Sequence, residues 1–346
     1  MISSGSYKED EVSFLLDVIP EVEAWNHGVG SRVENEFIPE GSYVDFFWRA
    51  VANYGDRIAE DVAKVARSLA QRQTGAITLV TLLRAGTPTG VLLTHALRHL
   101  GREVTHYSIS AVRSQGVDFA ALDLIRAVHP AESIVFVDGW TGKGFIAWEL
   151  EEAVARYNQS RGDCINHELV VLSDLAGVAA LAAGADDYPI AFSMMLGTIC
   201  GLISGAFPNP REGRLNAVVS FDSLHDCDLT RVFIDEMMLR VRPALDYSTA
   251  LCDWSAENRS KAASTSQQFV EMCTSRFGVD RNSVKPGICE VNRALLTRST
   301  AMTLLIQEEE LIEKELTHIL WLIENKEVTI KVCPEMPYRA AILLTN

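Results

Sequence analysis

The chain has 346 residues, of which 48% are hydrophobic and 22% are charged. This composition is that of a globular protein, and it excludes collagen-like and disordered chains. The net charge of −15 excludes nucleic-acid binding through overall charge, so any RNA or DNA site has to be local. The length favours two domains.

Cysteine usage indicates a reducing compartment. The seven cysteines are odd in number, and no Cys-x-x-Cys pair occurs. This pattern argues against a disulfide framework and against a zinc site. The first residues lack the basic and apolar regions of a secretion signal. We therefore predict a cytoplasmic protein whose own side chains hold no metal.

Strand and helix patterns alternate through the first half of the chain. Strands are predicted at 76–83, 104–109, 134–137 and 168–172, and helices at 43–72, 88–99, 118–127 and 142–155. This alternation predicts βαβ units and an α/β fold with a mostly parallel sheet flanked by helices. Ligands of such sheets bind at the carboxyl ends of the strands. The residues after Leu83, Ile109, Val137 and Leu172 are therefore the first candidates for a site.

An uncharged segment at 188–210 carries Gly197, Gly201 and Gly205 at intervals of four residues. Such spacing occurs at membrane helix interfaces and also in buried helices whose backbones approach closely. The segment stands alone in the sequence and contains a proline and several hydroxyl side chains. We therefore expect a buried helix and no contact with a membrane.

Charge divides the chain unequally. Residues 256–346 carry a net charge of −1, which leaves −14 on residues 1–255. We place a domain boundary near 254–262, so that 1–255 form the first domain, with about 1–42 as its N-terminal segment, and 256–346 the second. A second α/β pattern follows the boundary, with helices near 288–296 and 308–323 and strands near 301–306, 328–332 and 339–344.

The motif IVFVDGWTGKG at 134–144 is the strongest local signal. An apolar strand ends in an acid, and a Gly/Thr loop then opens a helix, whose free N–H groups can surround a phosphate. Asp138 is placed to accept hydrogen bonds from ribose hydroxyls, and Thr141 can cap the helix. An ordinary capped turn is the alternative. The predicted binding residues are Asp138, Gly139, Trp140, Thr141, Gly142, Lys143 and Gly144.

A second candidate loop, LRAGTPTG at 83–90, follows the first strand. Thr87 and Pro88 make a favourable helix start. A turn with exposed N–H groups and the guanidinium of Arg84 suits pyrophosphate, although a solvated arginine in a capped turn is the alternative. Candidate contacts are Arg84, Ala85, Gly86 and Thr87.

Three long runs carry a resemblance to a known family: TLLRAGTPTGVLL (81–93), THYSISAVRSQGVD (105–118) and FVDGWTGKG (136–144). They resemble the phosphoribosyltransferase-fold family that is linked to tellurite-resistance and stress gene clusters and also carries the label StiP, a cysteine protease. GSYKEDEVSFLL near the start and VVLSDLAG at 170–177 extend the resemblance. It implies a type I phosphoribosyltransferase fold whose N-terminal segment covers the acceptor.

The resemblance also implies a reaction. Ribose 5-phosphate transfer from phosphoribosyl pyrophosphate or a nucleotide would need Mg²⁺ carried by the pyrophosphate, and the protein would be a homodimer. Tyr107, Ser108 and Arg113 would close over pyrophosphate, and Asp174 would meet the nucleophile. Gly139 stands where such enzymes have a second acid. A non-catalytic protein that binds ribose phosphate and RNA is therefore the alternative.

The C-terminal run KPGICEVNR at 285–293 is similar to the Gly-x-Asn-Glu-x-x-Lys pattern of L7Ae/L30e and Pelota-type RNA-binding domains. Gly287 opens a helix on which Glu290 and Arg293 share a face and can contact a base edge and a phosphate. Cys289 replaces the pattern's asparagine. We predict weak RNA binding here, with a purely structural lobe as the alternative.

The cysteine protease label suggests a third hypothesis, a cysteine hydrolase. His225, Asp226 and Cys227 are neighbours in sequence and cannot converge as a triad. Cys200 lies in an apolar stretch, where a buried and inert thiol is expected.

Overall fold

The computed structural model describes residues 7–8, 10–24, 28, 36–112, 115–209, 214–298, 301–324 and 326–344. The strands of the first part are β1 (Ser13–Leu15), β2 (Asp17–Pro20), β3 (Ile77–Leu82), β4 (Val104–Ile109), β5 (Ala111–Val112), β6 (Gly116–Val117), β7 (Ile134–Val137), β8 (Trp140–Thr141), β9 (Leu169–Asp174), β10 (Leu181–Gly184) and β11 (Ala217–Ser220). Its helices are α1 (Glu21–Ala24), α2 (Gly41–Arg72), α3 (Gly86–His99), α4 (Phe119–Arg126), α5 (Phe145–Arg161) and α6 (Thr230–Tyr247). The remaining elements are α7 (Ala256–Phe277), β12 (Val284–Pro286), α8 (Ile288–Thr297), β13 (Met302–Ile306), α9 (Glu310–Lys314), α10 (Thr317–Ile323), β14 (Val328–Val332) and β15 (Ala340–Leu344).

The main sheet is parallel throughout its described part. Its strand order is β1, β4, β3, β7, β9 and β10, with β8 beside β9. All six residues of β3 are buried, as expected for an apolar strand that is covered on both faces. The predicted mostly parallel sheet flanked by helices is therefore confirmed. The carboxyl ends of β3, β4 and β7 lie together at one edge of this sheet.

Helices α2 and α3 pack on the main sheet and on each other, and α6 packs on both of them. α2 contacts β9 and β10, α3 contacts β3 and β4, and α6 contacts both helices. In α2, Val51, Ile58, Val62 and Leu69 are buried. Their spacing of four or seven residues places them on one helix face, which turns toward the core.

The prediction of a buried helix at 188–210 is wrong. Its described residues are largely buried, but they form short turns at Ala191–Met194 and Gly197–Ile199 that are joined by irregular chain. The left-handed backbone of Gly201 (φ 69°) and Leu202 (φ 57°) is incompatible with an α-helix at this point. Within the described ranges, no helix is long and apolar enough to cross a membrane.

The C-terminal part is a smaller α/β unit, as predicted. Its sheet has the order β12, β15, β13 and β14; β13 and β14 are parallel, and the other pairs are antiparallel. The predicted helix at 308–323 is divided into α9 and α10. Ile288, Val291 and Leu295 of α8 belong to the same hydrophobic core as the main sheet. The two parts therefore pack together, and the boundary near residue 255 stays a prediction.

Candidate functional site

A cavity of about 900 Å³ lies at the carboxyl ends of β3 and β7. Both predicted loops reach it, since Arg84 and Ala85 follow β3, and Asp138 and Trp140 follow β7. The opposite wall is formed by the turns at 192–206 and by residues of the C-terminal part. The position agrees with the general location of ligand sites in parallel sheets.

Arg84 enters the cavity already paired. Its Nη1 donates to Glu36 Oε2 at 2.8 Å and Oε1 at 3.0 Å, and to the Ile203 carbonyl at 3.2 Å. The Gly197 N–H also donates to Glu36 Oε1, at 2.7 Å. Within the same loop, Thr87 lies behind the cavity and shares a hydrogen bond with Ser108. The positive charge of Arg84 is therefore offset by an acid of the N-terminal segment.

Gly86 allows the two loops to approach each other. A Cβ on Gly86 would lie 2.6 Å from the Val137 carbonyl oxygen and 3.3 Å from Asp138 Cα. Only a residue without a side chain fits this contact. Gly86 thus brings the loop after β3 against the loop after β7.

Asp138 is buried at the base of the cavity, with an exposed fraction of 6%. Burial raises the pKa of its carboxyl to about 7, while the Gly139 N–H, which donates to Asp138 Oδ1 at 2.7 Å, and the charge of Arg293 act in the opposite direction. A carboxyl group with this pKa exchanges protons near neutral pH, which is the property of a general acid or base.

The remainder of the 138–144 loop divides into residues that face the cavity and residues that do not. Trp140, Gly142 and Lys143 line it, and Lys143 Nζ donates to the Arg281 carbonyl at 2.6 Å. Gly144 has φ 86° and begins α5. Gly139, Thr141 and Gly144 do not line the cavity. Only some of the loop residues that were predicted to surround a phosphate are therefore at the cavity.

Tyr107 and Ser108, which the resemblance implied would close over pyrophosphate, lie in a strand and not in a loop. Both belong to β4; the Tyr107 hydroxyl shares a hydrogen bond with His129 Nε2 at 3.0 Å, and Ser108 bonds to Thr87 at 2.8 Å. Their side chains are thus engaged away from the cavity, and the predicted closure over pyrophosphate does not fit their position. Arg113, the third predicted loop residue, lies outside the described residues.

Asp174 also differs from its predicted role. It is fully buried, and its carboxylate accepts from Thr141 Oγ1 at 2.5 Å, from the Ala179 N–H at 2.6 Å and from the Ala176 N–H at 3.2 Å. It does not line the cavity. These bonds tie the end of β8 to the turn after β9, so Asp174 stabilises the fold and does not face a ligand.

The C-terminal part supplies one wall of the cavity. Glu290, Arg293, Ala294 and Thr297 of α8 line it. Their spacing of three, four and seven residues places them on one helix face. The predicted RNA-binding residues Glu290 and Arg293 therefore do share a face, but that face turns toward the main sheet.

Glu290 is fixed against the loop of the first part. Trp140 Nε1 donates to Glu290 Oε1 at 3.1 Å. A Cβ on Gly142 would lie 2.6 Å from Glu290 Cγ, so the missing side chain at Gly142 makes room for this contact. Gly287, the third predicted residue, has φ 88° and lies against Leu175 and Asp187, away from the cavity.

Buried polar bonds hold α8 in place. Asp187 accepts from the Ile288 N–H at 2.8 Å and from the Arg339 N–H at 2.9 Å, and burial raises the pKa of Asp187 to about 6. Asn292 Nδ2 donates to Ser193 Oγ at 3.0 Å. Because an acid of the first part caps the helix start, α8 has a defined position in the cavity wall.

Sequence reasoning did not place Glu36 or Cys200 at the cavity. Glu36 lies far from either motif in sequence, and no local pattern marks it as the partner of Arg84. Cys200 was expected to be buried and inert; it is buried, with an exposed fraction of 1%, yet it lines the cavity.

Among the described residues, no group of three or more His, Cys, Asp or Glu side chains is arranged to hold a metal. Mg²⁺ and the homodimer stay predictions.

Comparison with solved structures finds partial likenesses. The hypoxanthine-guanine phosphoribosyltransferase of Leishmania tarentolae in complex with GMP is 17% identical, with a TM-score of 0.29 over 37% of this chain and 78% of that chain. The hypoxanthine phosphoribosyltransferase of Trypanosoma cruzi in complex with IMP is 15% identical, with a TM-score of 0.28 over 37% and 67%. Residues 264–346 match the PELOTA RNA binding domain.

A relative along the whole chain corrects the predicted activity. The protein of Acinetobacter baylyi named cysteine protease StiP is 33% identical over 99% of this chain and 94% of its own. The prediction of phosphoribosyl transfer is therefore wrong, since the relative that spans both parts is named for a different chemistry. Residues 5–238 match the family described as tellurite-like stress resistance cysteine protease StiP, and the chain belongs to this family.

Proposed function

We propose that this chain is a cysteine hydrolase, that the cavity is its active site and that Cys200 is its nucleophile. All seven cysteines lie in described residues, and Cys200 is the one that lines the cavity. This placement is the observation that carries the proposal. Cys227, which is partly exposed, has an exposed histidine and an exposed aspartate beside it and does not line this cavity.

Cys200 is a thiol in the resting protein. Its Sγ donates to the Arg84 carbonyl at 3.5 Å. Burial raises the pKa of Cys200 to about 11, although the Thr87 hydroxyl and the charge of Arg84 act to lower it. Since the thiolate is the nucleophile, a cavity group has to remove the thiol proton during attack.

Asp138 is the group that fits this task. No histidine is among the described residues that line the cavity, so the usual cysteine–histidine pair is not formed by them. Asp138 and Cys200 both contact the loop that begins at Arg84, and the pKa of Asp138 is about 7. The pKa of Cys200 lies above that of Asp138, so interactions with the substrate have to favour the transfer of the thiol proton.

The proposed reaction proceeds in two stages. Cys200 Sγ attacks the substrate carbonyl carbon as Asp138 takes the thiol proton, and the tetrahedral intermediate expels the leaving group, which takes this proton from Asp138. A thioester remains on Cys200. Water then attacks the thioester carbonyl, the acid product departs, and one proton of the water returns to the sulfur.

The first test is the pH dependence of hydrolysis and of stability in Asp138→Asn. Hydrolysis by the unchanged protein should rise with pH through about 7, because Asp138 acts as the carboxylate. Asp138→Asn should lose this rise and be about 10²- to 10⁴-fold slower. Hydrolysis can be followed by mass spectrometry of a peptide library.

The folding stability of the unchanged protein should fall as pH rises, whereas its rate of hydrolysis should rise. The folded pKa of Asp138, about 7, lies above the ordinary 3.8, so ionisation of this carboxyl destabilises the fold as pH rises between these values. Asp138→Asn should therefore be more stable than the unchanged protein, and the gain should grow from about pH 4 to about pH 7 and stay constant at higher pH. Asp186→Asn, at an exposed position, is the control and should change neither property. Unchanged hydrolysis in Asp138→Asn would contradict its role.

A further inference from the structure

The RNA-like motif of α8 lies in the wall of the cavity. Its residues Glu290 and Arg293 face a cavity of about 900 Å³ that they share with the loops of the main sheet. A cavity of this size matches a small molecule or one extended end of a chain. The wall that carries the motif is thus in contact with the loops of the proposed active site.

Glu290 and Arg293, the two charged residues of α8 in this wall, differ in their surroundings. Glu290 is bonded to Trp140 and lodged against Gly142. Arg293 lies one helical turn further along, is exposed and lines the same cavity as Asp138. Its charge acts to lower the pKa of the Asp138 carboxyl. Arg293 is therefore a cation of the C-terminal part that shares the cavity with the proposed catalytic carboxyl.

We propose that Arg293 binds an oxyanion of the substrate, a carboxylate or a phosphate, and so lets the C-terminal part select what the cavity takes. The inference rests on the proposed function, whose site it shares. A guanidinium binds either oxyanion through two parallel hydrogen bonds. The net charge of −15 repels anions, so an anionic substrate needs a local cation to attract it to the cavity. Arg293 is such a cation.

The fixed position of α8 supports this role. Asp187 caps the start of α8, and the Asn292 amide bonds to Ser193 in the facing wall while its carbonyl pairs with the buried His318 at 2.8 Å. Because α8 is already held in place, ligand binding loses little entropy through ordering of the helix. The contact between Arg293 and the ligand then adds to the binding free energy with little loss.

The test is calorimetric titration of the full chain, carrying Cys200→Ser, with inorganic phosphate and with glutarate. One of the two should bind, and its identity distinguishes a phosphate from a carboxylate source. Arg293→Ala should weaken binding about 10- to 100-fold, as expected for a charge-assisted pair. Arg293→Lys should keep part of the affinity. Arg276→Ala, in a surface ion pair with Glu335, is the matched control and should bind like the parent.

Three results would overturn the inference. Neither anion binds at millimolar concentration, or Arg293→Ala and Arg276→Ala bind the anion equally well. The third is that Arg293→Ala weakens the binding of a single-stranded RNA but not the binding of either anion. The last result would mean that α8 serves as an RNA surface. Because binding is measured without the Cys200 thiol, its failure is separate from a failure of the hydrolase proposal. Arg293 is exposed, so its substitution should leave thermal stability unchanged.

Discussion

Replacement of Asp174 by alanine should lower the free energy of unfolding by about 3–5 kcal/mol, because several buried donors lose their acceptor together. The Thr141 hydroxyl and the N–H groups of Ala176 and Ala179 all donate to this carboxylate. Asparagine cannot replace it fully, since its NH₂ group would meet a backbone donor. Urea denaturation of both variants measures the loss.

The control for Asp174 is Asp186→Ala. Asp186 is 70% exposed and paired with Arg57 at 2.6 Å, so its loss should cost less than about 1 kcal/mol. A stable Asp174→Ala variant that has lost activity alone would restore the catalytic role predicted from the sequence. A variant that is strongly destabilised agrees with the bonds that the structure shows.

Replacement of Cys200 by serine should abolish hydrolysis, with a loss on the order of 10⁴-fold or more, as for removal of a nucleophile in other hydrolases. Serine retains a donor for the Arg84 carbonyl, so the fold should be preserved. Its hydroxyl is a far weaker nucleophile than a thiol in this environment, which lacks a histidine base among the described residues.

Cys227→Ser is the matched control for Cys200→Ser. Cys227 is partly exposed, lies next to Asp226 and does not line the cavity. This variant should keep the activity of the unchanged protein. Loss of hydrolysis in Cys227→Ser, with retention in Cys200→Ser, would place the nucleophile at the surface and contradict the proposal.

Local patterns predicted the main sheet well, because they depend on short-range periodicity. β3 was marked by a run of apolar residues, whereas α3 begins at Gly86, two residues before the predicted start, and Thr87 bonds to Ser108 and does not cap the helix. The loops after β3 and β7 followed from topology, which places the carboxyl ends of parallel strands together. The positions of Arg84 and Asp138 at one cavity could therefore be predicted.

Contacts between distant segments could not be predicted. Glu36 pairs with Arg84 across 48 positions, and Trp140 bonds to Glu290 across 150. Asp174 follows a strand as a catalytic acid would, and only its buried donors show that it serves the fold. The spacing of Glu290 and Arg293 gave their common helix face but not the direction in which that face turns.

The central claim is that Cys200 is the nucleophile within the shared cavity. A peptidyl chloromethyl ketone places its ketone where a bound peptide has its scissile carbonyl and its reactive methylene carbon next to that position, and mass spectrometry identifies the cysteine that it alkylates. We expect the adduct on Cys200, formed faster as pH rises through about 7 and more slowly in Asp138→Asn. An adduct on another cysteine, or an unmodified Cys200 in a protein that hydrolyses peptides, would contradict the claim.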